Sequence, residues 1–334
     1  MRIGIAGIGR IGAFHAKTLR GLDVVDDLVL FDINAEAAAA TATELDASVA
    51  PSVEALLASG IDGFVITTGT HTHAELLRAG IAAGIPTFCE KPVAGDLPGS
   101  IALAELAETS EVPIHIGFQR RFDVAYRRLH DAVQGGELGF IHTIRATTND
   151  QSPPPAAYIP TSGGIWRDCN VHDFDILRYV TGREVASVYA VGSNKGDAYF
   201  TEGGDVDTGA AVLTLDDGTL ALVSSTRYNG GGHDVRMEVH GSQGAMSVGL
   251  DDSYAFRSAE PGVTFPPGPQ HWSFMERFLP AYRAELTAFA EVARGAIPSP
   301  CTVADALQAF RTAEACTISW REGRVVPLDE VAGA

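Results

Sequence analysis

The sequence predicts two domains of different class: an α/β domain on a doubly wound parallel sheet over residues 1–118, then an α+β domain over residues 119–334 with a large, mostly antiparallel open sheet. Three observations carry this. Up to about residue 118, short apolar runs alternate with amphipathic stretches. From Val185 to Val248, strand-like runs follow one another, joined by turn signals. A chain of 334 residues is long for one core and comfortable for two.

In the first domain the strands are expected at Arg2–Ala6, Leu28–Phe31, Gly63–Thr67, Pro86–Cys89 and Ile114–Phe118. The helices between them are expected at Ile11–Leu19, Ala35–Leu45, Ala74–Ala83 and Ser100–Thr109. Alternating β and α with short connections gives a parallel sheet covered on both faces, and right-handed crossovers wind it in both directions. After residue 120 a helix, Ala125–Val133, ends at Gly135-Gly136, and a strand follows at Ile141–Thr148. Next come a loop rich in Pro and Gly, Asp150–Gly164, and a helix from about Asp168 to Tyr179. Strands then succeed one another at Ser187–Gly192, Thr208–Leu215, Thr219–Ser225, Asp234–Val239 and Ala245–Val248. Asp216-Asp217-Gly218 and Gly241–Gly244 mark tight turns, so neighbours run antiparallel. Two helical stretches, Phe274–Arg294 and Val303–Trp320, close the pattern.

Composition excludes several function classes. Hydrophobic residues at 46% and charged residues at 20% are an ordinary globular balance. No apolar run is long enough to span a bilayer, and the opening MRIGIAGIGR reads as a buried strand entering a glycine turn, not as a signal peptide. A cytoplasmic protein is expected. Cys89, Cys169, Cys301 and Cys316 lack the spacing of a zinc knuckle or a redox pair, so reduced thiols are expected. A net charge of −18 repels phosphate backbones and argues against nucleic acid as a partner. An anionic ligand must then be held by a local feature such as a helix N-terminus.

Such a feature opens the chain. Gly7-Ile8-Gly9-Arg10-Ile11-Gly12 follows one strand directly and opens a helix, the context in which G-x-G-x-x-G binds a dinucleotide. Gly7 allows the tight turn, Gly9 lets a pyrophosphate approach the backbone, and Gly12 lets helix and strand pack closely. Asp32 ends the second strand, twenty residues past Gly12. A carboxylate there accepts hydrogen bonds from a ribose diol and repels a 2′-phosphate, and no arginine follows among Ile33, Asn34 and Ala35. NAD is therefore expected over NADP. The alternative is a structural turn with Asp32 capping the next helix.

Two further groups can carry chemistry. Glu90-Lys91-Pro92 lies just past the strand Pro86–Cys89, at the carboxyl end of a parallel strand where ligands bind. A lysine there can polarise a substrate oxygen or move a proton; a lone Lys-Pro is more often a solvated loop lysine. Asp168 and His172, four apart on a helix, share one face, where a carboxylate orients an imidazole and stabilises its protonated form. Asp168 as a helix cap beside a surface histidine is the other reading. No third ligand supports a metal site.

In order along the chain, Gly7–Gly12, Glu90-Lys91-Pro92 and Asp168-x-x-x-His172 resemble the Gfo/Idh/MocA oxidoreductase family. Thr72-His73-Ala74-Glu75 resembles the segment after its fourth strand. Gly117-Phe118-Gln119-Arg120-Arg121-Phe122-Asp123, His233-Asp234 and the Trp272 to Tyr282 helix resemble the inositol dehydrogenase branch, although His233 stands where relatives often carry tyrosine. The resemblance implies a Rossmann domain binding NAD through Gly7, Ile8, Gly9, Arg10, Ile11, Gly12, Asp32, Thr67, Thr68, His73, Glu90, Lys91 and Gln119. It implies His172 as proton acceptor, Asp168 as its orienter and Lys91 as polariser of the reacting oxygen. Arg121 and His233 join these three as expected substrate contacts. The Thr148–Gly164 segment is expected to set specificity, and the open sheet face to assemble a homodimer or homotetramer. The activity implied is NAD-dependent oxidation of a secondary hydroxyl of a polyol or sugar. A redox-recycling sugar-modifying or glycoside-cleaving enzyme would use the same residues. A non-catalytic NAD sensor would need none of the proton-transfer groups.

Overall fold

The computed structural model describes residues 1–266 and 268–331; position 267 and the last three positions of the second expected domain, 332–334, lie outside the described residues. The chain divides into two compact units, Met1–Gln119 with Pro280–Leu307, and Arg120–Leu279 with the segment from Gln308 onward.

In the first unit every apolar run read as a strand is one. β1 (Arg2–Ala6), β2 (Asp27–Phe31), β3 (Ser48–Val49), β4 (Gly63–Ile66), β5 (Thr87–Glu90) and β6 (Ile114–Gly117) form a sheet in the order β3-β2-β1-β4-β5-β6, with every pair parallel. Ile3, Ile5, Leu28, Leu30, Phe64, Val65 and Ile66 are fully buried. Covering on both faces is why these strands read as continuous apolar runs and not as alternation. β1 pairs with β2 on one side and β4 on the other. That reversal of strand order is the switch point outside which such sheets bind ligands. The two-residue β3 and the short helix Val53–Leu57 are too brief for any periodic signal.

The helices of this unit start at their caps. Asn34 accepts from Ala37 N at 3.2 Å to open Ala35–Leu45, and Asp96 accepts from Gly99 N at 2.8 Å to open Leu97–Thr109. The latter begins three residues before the expected Ser100, because Pro98 is tolerated in a first turn. The expected helix Phe274–Arg294 is two, Phe274–Arg277 and Leu279–Ala293. Pro280 supplies no N–H to continue the ladder of the first helix, and is tolerated in the first turn of the second. Leu286 and Phe289 of the longer helix are fully buried with Ile3, Ile5, Leu28, Val65 and Phe88. They complete the core of the first unit, although they follow the 118/119 division read from the sequence by more than 160 residues.

The second unit holds β7 (Ile141–Asn149), β8 (Val185–Ser193), β9 (Thr208–Leu215), β10 (Leu220–Thr226), β11 (Asp234–Gly241), β12 (Gly244–Val248) and β13 (Val326–Pro327), in the order β12-β11-β7-β10-β9-β8-β13. All neighbours are antiparallel except β7 and β10, which run parallel with Asn149 opposite Thr226. One sheet face buries Ile144, Ala146, Ala221, Val223, Leu213 and Val188. The opposite face shows Tyr189, Val191, Val212, Leu220 and Leu222, each 42–48% exposed. Tyr189 lies opposite Val212 and Val212 opposite Leu222, so three strands present one apolar row. Among the described residues no helix is long and apolar enough to cross a membrane.

Candidate cofactor site and active site

Gly7 holds φ +95°, and a Cβ there would stand 2.6 Å from Thr68 N. A Cβ on Gly12 would come within 1.8 Å of Gly7 O, so helix Arg10–Arg20 can approach β1 only with glycine there. A Cβ on Gly9 would meet nothing within 4 Å. The turn is thus closed towards the protein at Gly7 and Gly12 and open at Gly9, beside the N-terminus of the helix. That is the opening a pyrophosphate needs. Asp32 Oδ2 accepts from Ile8 N at 2.5 Å and Oδ1 from Asn34 N at 2.7 Å. The carboxylate therefore stands at the glycine turn, while Asn34 caps the next helix. Ile8 is buried, Ile11 partly buried and Arg10 exposed.

Other expected cofactor residues hold the loops. Thr67 Oγ1 donates to Gly7 O at 2.7 Å. Thr72 Oγ1 donates to Thr68 Oγ1 at 2.6 Å. His73, 2% exposed, has Nδ1 2.7 Å from Pro92 O and Nε2 3.0 Å from Thr68 O. Burial pushes its pKa down, and the carbonyls oppose this. His15, fully buried, has Nε2 2.6 Å from Glu90 Oε1. Two buried histidines therefore grip the Glu90–Pro92 turn, one through Glu90 and one through Pro92. Between them Lys91 is partly buried before a cis peptide to Pro92. Thr67, His73 and Glu90, expected as direct cofactor contacts, thus bond backbone oxygens or a buried partner in this turn. Gln119, 4% exposed, begins the 3-10 turn Gln119–Phe122.

In the second unit the expected helix from Asp168 opens as a π-helical stretch, Trp166–Asn170, and continues as α-helix Val171–Thr181. A π-turn holds more residues than an α-turn, so the spacing of Asp168 and His172 is not that of a regular helix; such turns recur at functional sites. Asp168 Oδ1 accepts from Tyr158 OH at 3.0 Å and Oδ2 from Arg227 Nη2 at 2.7 Å. His172 is partly exposed. Arg227, 3% exposed, also donates from Nη1 to Asp150 Oδ2 at 2.9 Å. His233 Nδ1 lies 3.6 Å from Asp150 Oδ1. Burial pulls the His233 pKa down to about 4 against the pull of Asp150, so the ring is neutral near pH 7. Its Nε2 is buried and makes no hydrogen bond among the described residues. It is thereby suited to meet a ligand hydroxyl.

Arg121 was expected as a substrate contact. Its Nε and Nη2 donate to Asp175, at 2.9 and 2.6 Å, and its guanidinium lies over the Tyr179 ring at 5.4 Å. At 6% exposure, it is tied by these donors to helix Val171–Thr181. Arg120 does the same through Asp173 at 2.6 Å, in a buried network with Thr148, Asn170 and Ser225. Sequence reading missed Asp150, Tyr158 and Arg227. Asp150 and Arg227 directly follow the paired Asn149 and Thr226, and only the parallel β7–β10 register brings them out side by side.

Residues 1–118 match a model described as an oxidoreductase family with an NAD-binding Rossmann fold, and residues 126–247 match the Gfo/Idh/MocA C-terminal domain. A myo-inositol dehydrogenase of Streptomyces leeuwenhoekii is 39% identical over 328 residues, which cover 97% of this chain and 99% of that protein.

The chain belongs to the Gfo/Idh/MocA oxidoreductase family. Two solved structures support the fold over both units. A myo-inositol dehydrogenase from Corynebacterium glutamicum has TM-score 0.89 and 31% identity, covering 98% of each chain. A scyllo-inositol dehydrogenase from Lactobacillus casei, with bound NAD(H) and scyllo-inositol, has TM-score 0.88 and 26% identity, covering 98% of this chain and 99% of that one. This Gfo/Idh/MocA chain is an NAD-dependent oxidoreductase, and the glycine turn with Asp32 fits that cofactor.

Proposed function

We propose that this enzyme oxidises one secondary hydroxyl of a cyclic polyol of the inositol kind to a ketone. The observation that carries the chemistry is Asp168, anchored by Tyr158 and Arg227, four residues before the partly exposed His172. NAD, when bound, supplies the nicotinamide that accepts hydride from the carbinol carbon. As the carbonyl forms, the hydroxyl proton must leave, and the neutral imidazole of His172 takes it. Asp168 sets the tautomer of the ring and stabilises the imidazolium. Lys91, on a turn that His15 and His73 hold, favours the negative charge developing on the oxygen. His233 Nε2 offers a contact to a further hydroxyl. Inositols, aldoses and glycosides tested for NAD reduction are expected to give turnover with an inositol. Turnover of none, with cofactor retained through purification, overturns net dehydrogenation in favour of internal redox recycling.

Asp32 carries the cofactor choice. Its carboxylate at the glycine turn is expected to favour NAD over NADP by roughly tenfold or more in kcat/KM, about 1.4 kcal/mol or above. Asp32→Ala narrows the gap; equal efficiencies in the unaltered enzyme refute this role.

The apolar row Tyr189, Val212 and Leu222 needs a cover, because a sheet face of this kind left to water is an association surface. We assign it to self-assembly as a homodimer or homotetramer. Light scattering at micromolar concentration checks this, a monomer being the contrary result, and Val212→Glu with Leu222→Glu is expected to dissociate the assembly.

A further inference from the structure

We propose that Arg227 is a positioning residue for the reaction: by bridging Asp168 to Asp150 it fixes the Asp168 carboxylate as an anion in the orientation that serves His172. The proposal rests on the reading of Asp168 as the orienter of His172.

The geometry is a clamp. Asp168 has a side chain only 16% exposed, and each of its oxygens receives a donor, Oδ1 from Tyr158 and Oδ2 from Arg227. The same guanidinium reaches Asp150, which leaves the sheet one residue past β7. Arg227 leaves one residue past β10, so the parallel register of the two strands fixes both halves of the bridge. Its backbone N donates to Asp207 O at 2.8 Å and anchors its own base. Asp168 sits instead on the π-turn, where backbone spacing alone does not determine its direction. The sheet thus aims a side chain that the helix leaves underdetermined.

The charges require a cation here. Facing Arg227 are Asp150 and Asp168, with Cys169, Asp205, His233 and Tyr158 around them. Burial holds the His233 pKa below its usual range, so its neutral ring does not replace the missing cation, and Asp205 supplies no positive charge in either form. The thiol of Cys169 lies 3.5 Å from Asp150 Oδ2. Without Arg227, carboxylates in a poorly solvated place repel one another and take up protons, and a protonated Asp168 no longer stabilises an imidazolium. Lysine keeps the charge but not the fork that reaches two carboxylates from two segments.

The test compares Arg227→Met, Arg227→Lys, Arg227→Ala and Asp168→Asn in the full-length enzyme, with kcat and kcat/KM measured against pH and NAD affinity by tryptophan fluorescence. Arg227→Met is expected to lower kcat about tenfold or more and to move the acid limb of the profile up by about one pH unit, with NAD affinity unchanged. Arg227→Lys is expected to fall between it and the parent. In Arg227→Ala, millimolar guanidinium is expected to restore part of the rate, an effect a merely structural arginine would not show. Should Arg227→Met fail to fold, Arg227→Lys decides by its pH profile. Parental rate and profile in the folded Arg227 variants, with Asp168→Asn impaired, overturn the proposal alone. A parental rate in Asp168→Asn overturns the reading of Asp168 beneath it.

Discussion

Alanine at His172 or at Lys91 is expected to lower kcat by about 10²-fold or more, while NAD affinity changes little. On the proposed mechanism, the first change removes the group that accepts the hydroxyl proton, and the second removes the cation that steadies the developing oxygen charge. Neither residue belongs to the glycine turn or to the Asp32 carboxylate, to which we assign the main hold on the cofactor, so binding and chemistry should separate in titration and turnover. Asp168→Asn should fold and lose rate through misorientation of the ring. The double replacement at Asp168 and His172 should cost less than the product of the singles, because the two act as a unit. If His172→Ala keeps near-normal kcat from about pH 6 to 9, Lys91 becomes the base and the dyad is wrong.

The second large effect concerns stability. Asp175→Ala is expected to destabilise the protein by about 3–5 kcal/mol in chemical denaturation, since it removes the main counter-ion of a buried guanidinium. Asp175 is fully buried and meets Arg121 through two donors, so water cannot replace it. Replacing both residues together, Arg121→Met with Asp175→Leu, should cost far less, because no charge is then left behind. A loss below about 1 kcal/mol in the single variant would mean that the pair behaves as a surface bridge does. The helix concerned carries His172, so activity is expected to fall with stability.

Much of this was legible in the sequence, for physical reasons. β1, β2, β4, β5 and β6 are buried on both faces and leave continuous apolar runs, and the glycine turn announces itself because Gly7 and Gly12 answer separate steric demands. Asp32, Lys91 and His172 stand out as candidates in the sequence because their residue types can carry chemistry at strand ends and on a helix. What was not legible depends on register. The adjacency of Asp150 and Arg227 follows from the parallel pairing of β7 with β10, which are more than 70 residues apart. Arg121 looks like a ligand contact in the sequence, and Arg120 stands beside it. Only the alternation of Asp173 and Asp175 around Phe174, seen on the folded helix, shows that each already has a carboxylate. The π-turn leaves no mark that local propensity could detect.

The helix that returns Leu286 and Phe289 to the first core bears on how this protein can be taken apart. The polypeptide passes between its two units three times, after Gln119, after Leu279 and after Leu307. Neither unit is therefore a contiguous stretch of the polypeptide. A gene fragment encoding only residues 1–118 would carry the whole glycine fingerprint yet lack two of the side chains that seal the hydrophobic interior beneath it. The nucleotide-binding part is thus not a portable cassette: grafting it elsewhere requires the distant helix as well, spliced back through a new linker.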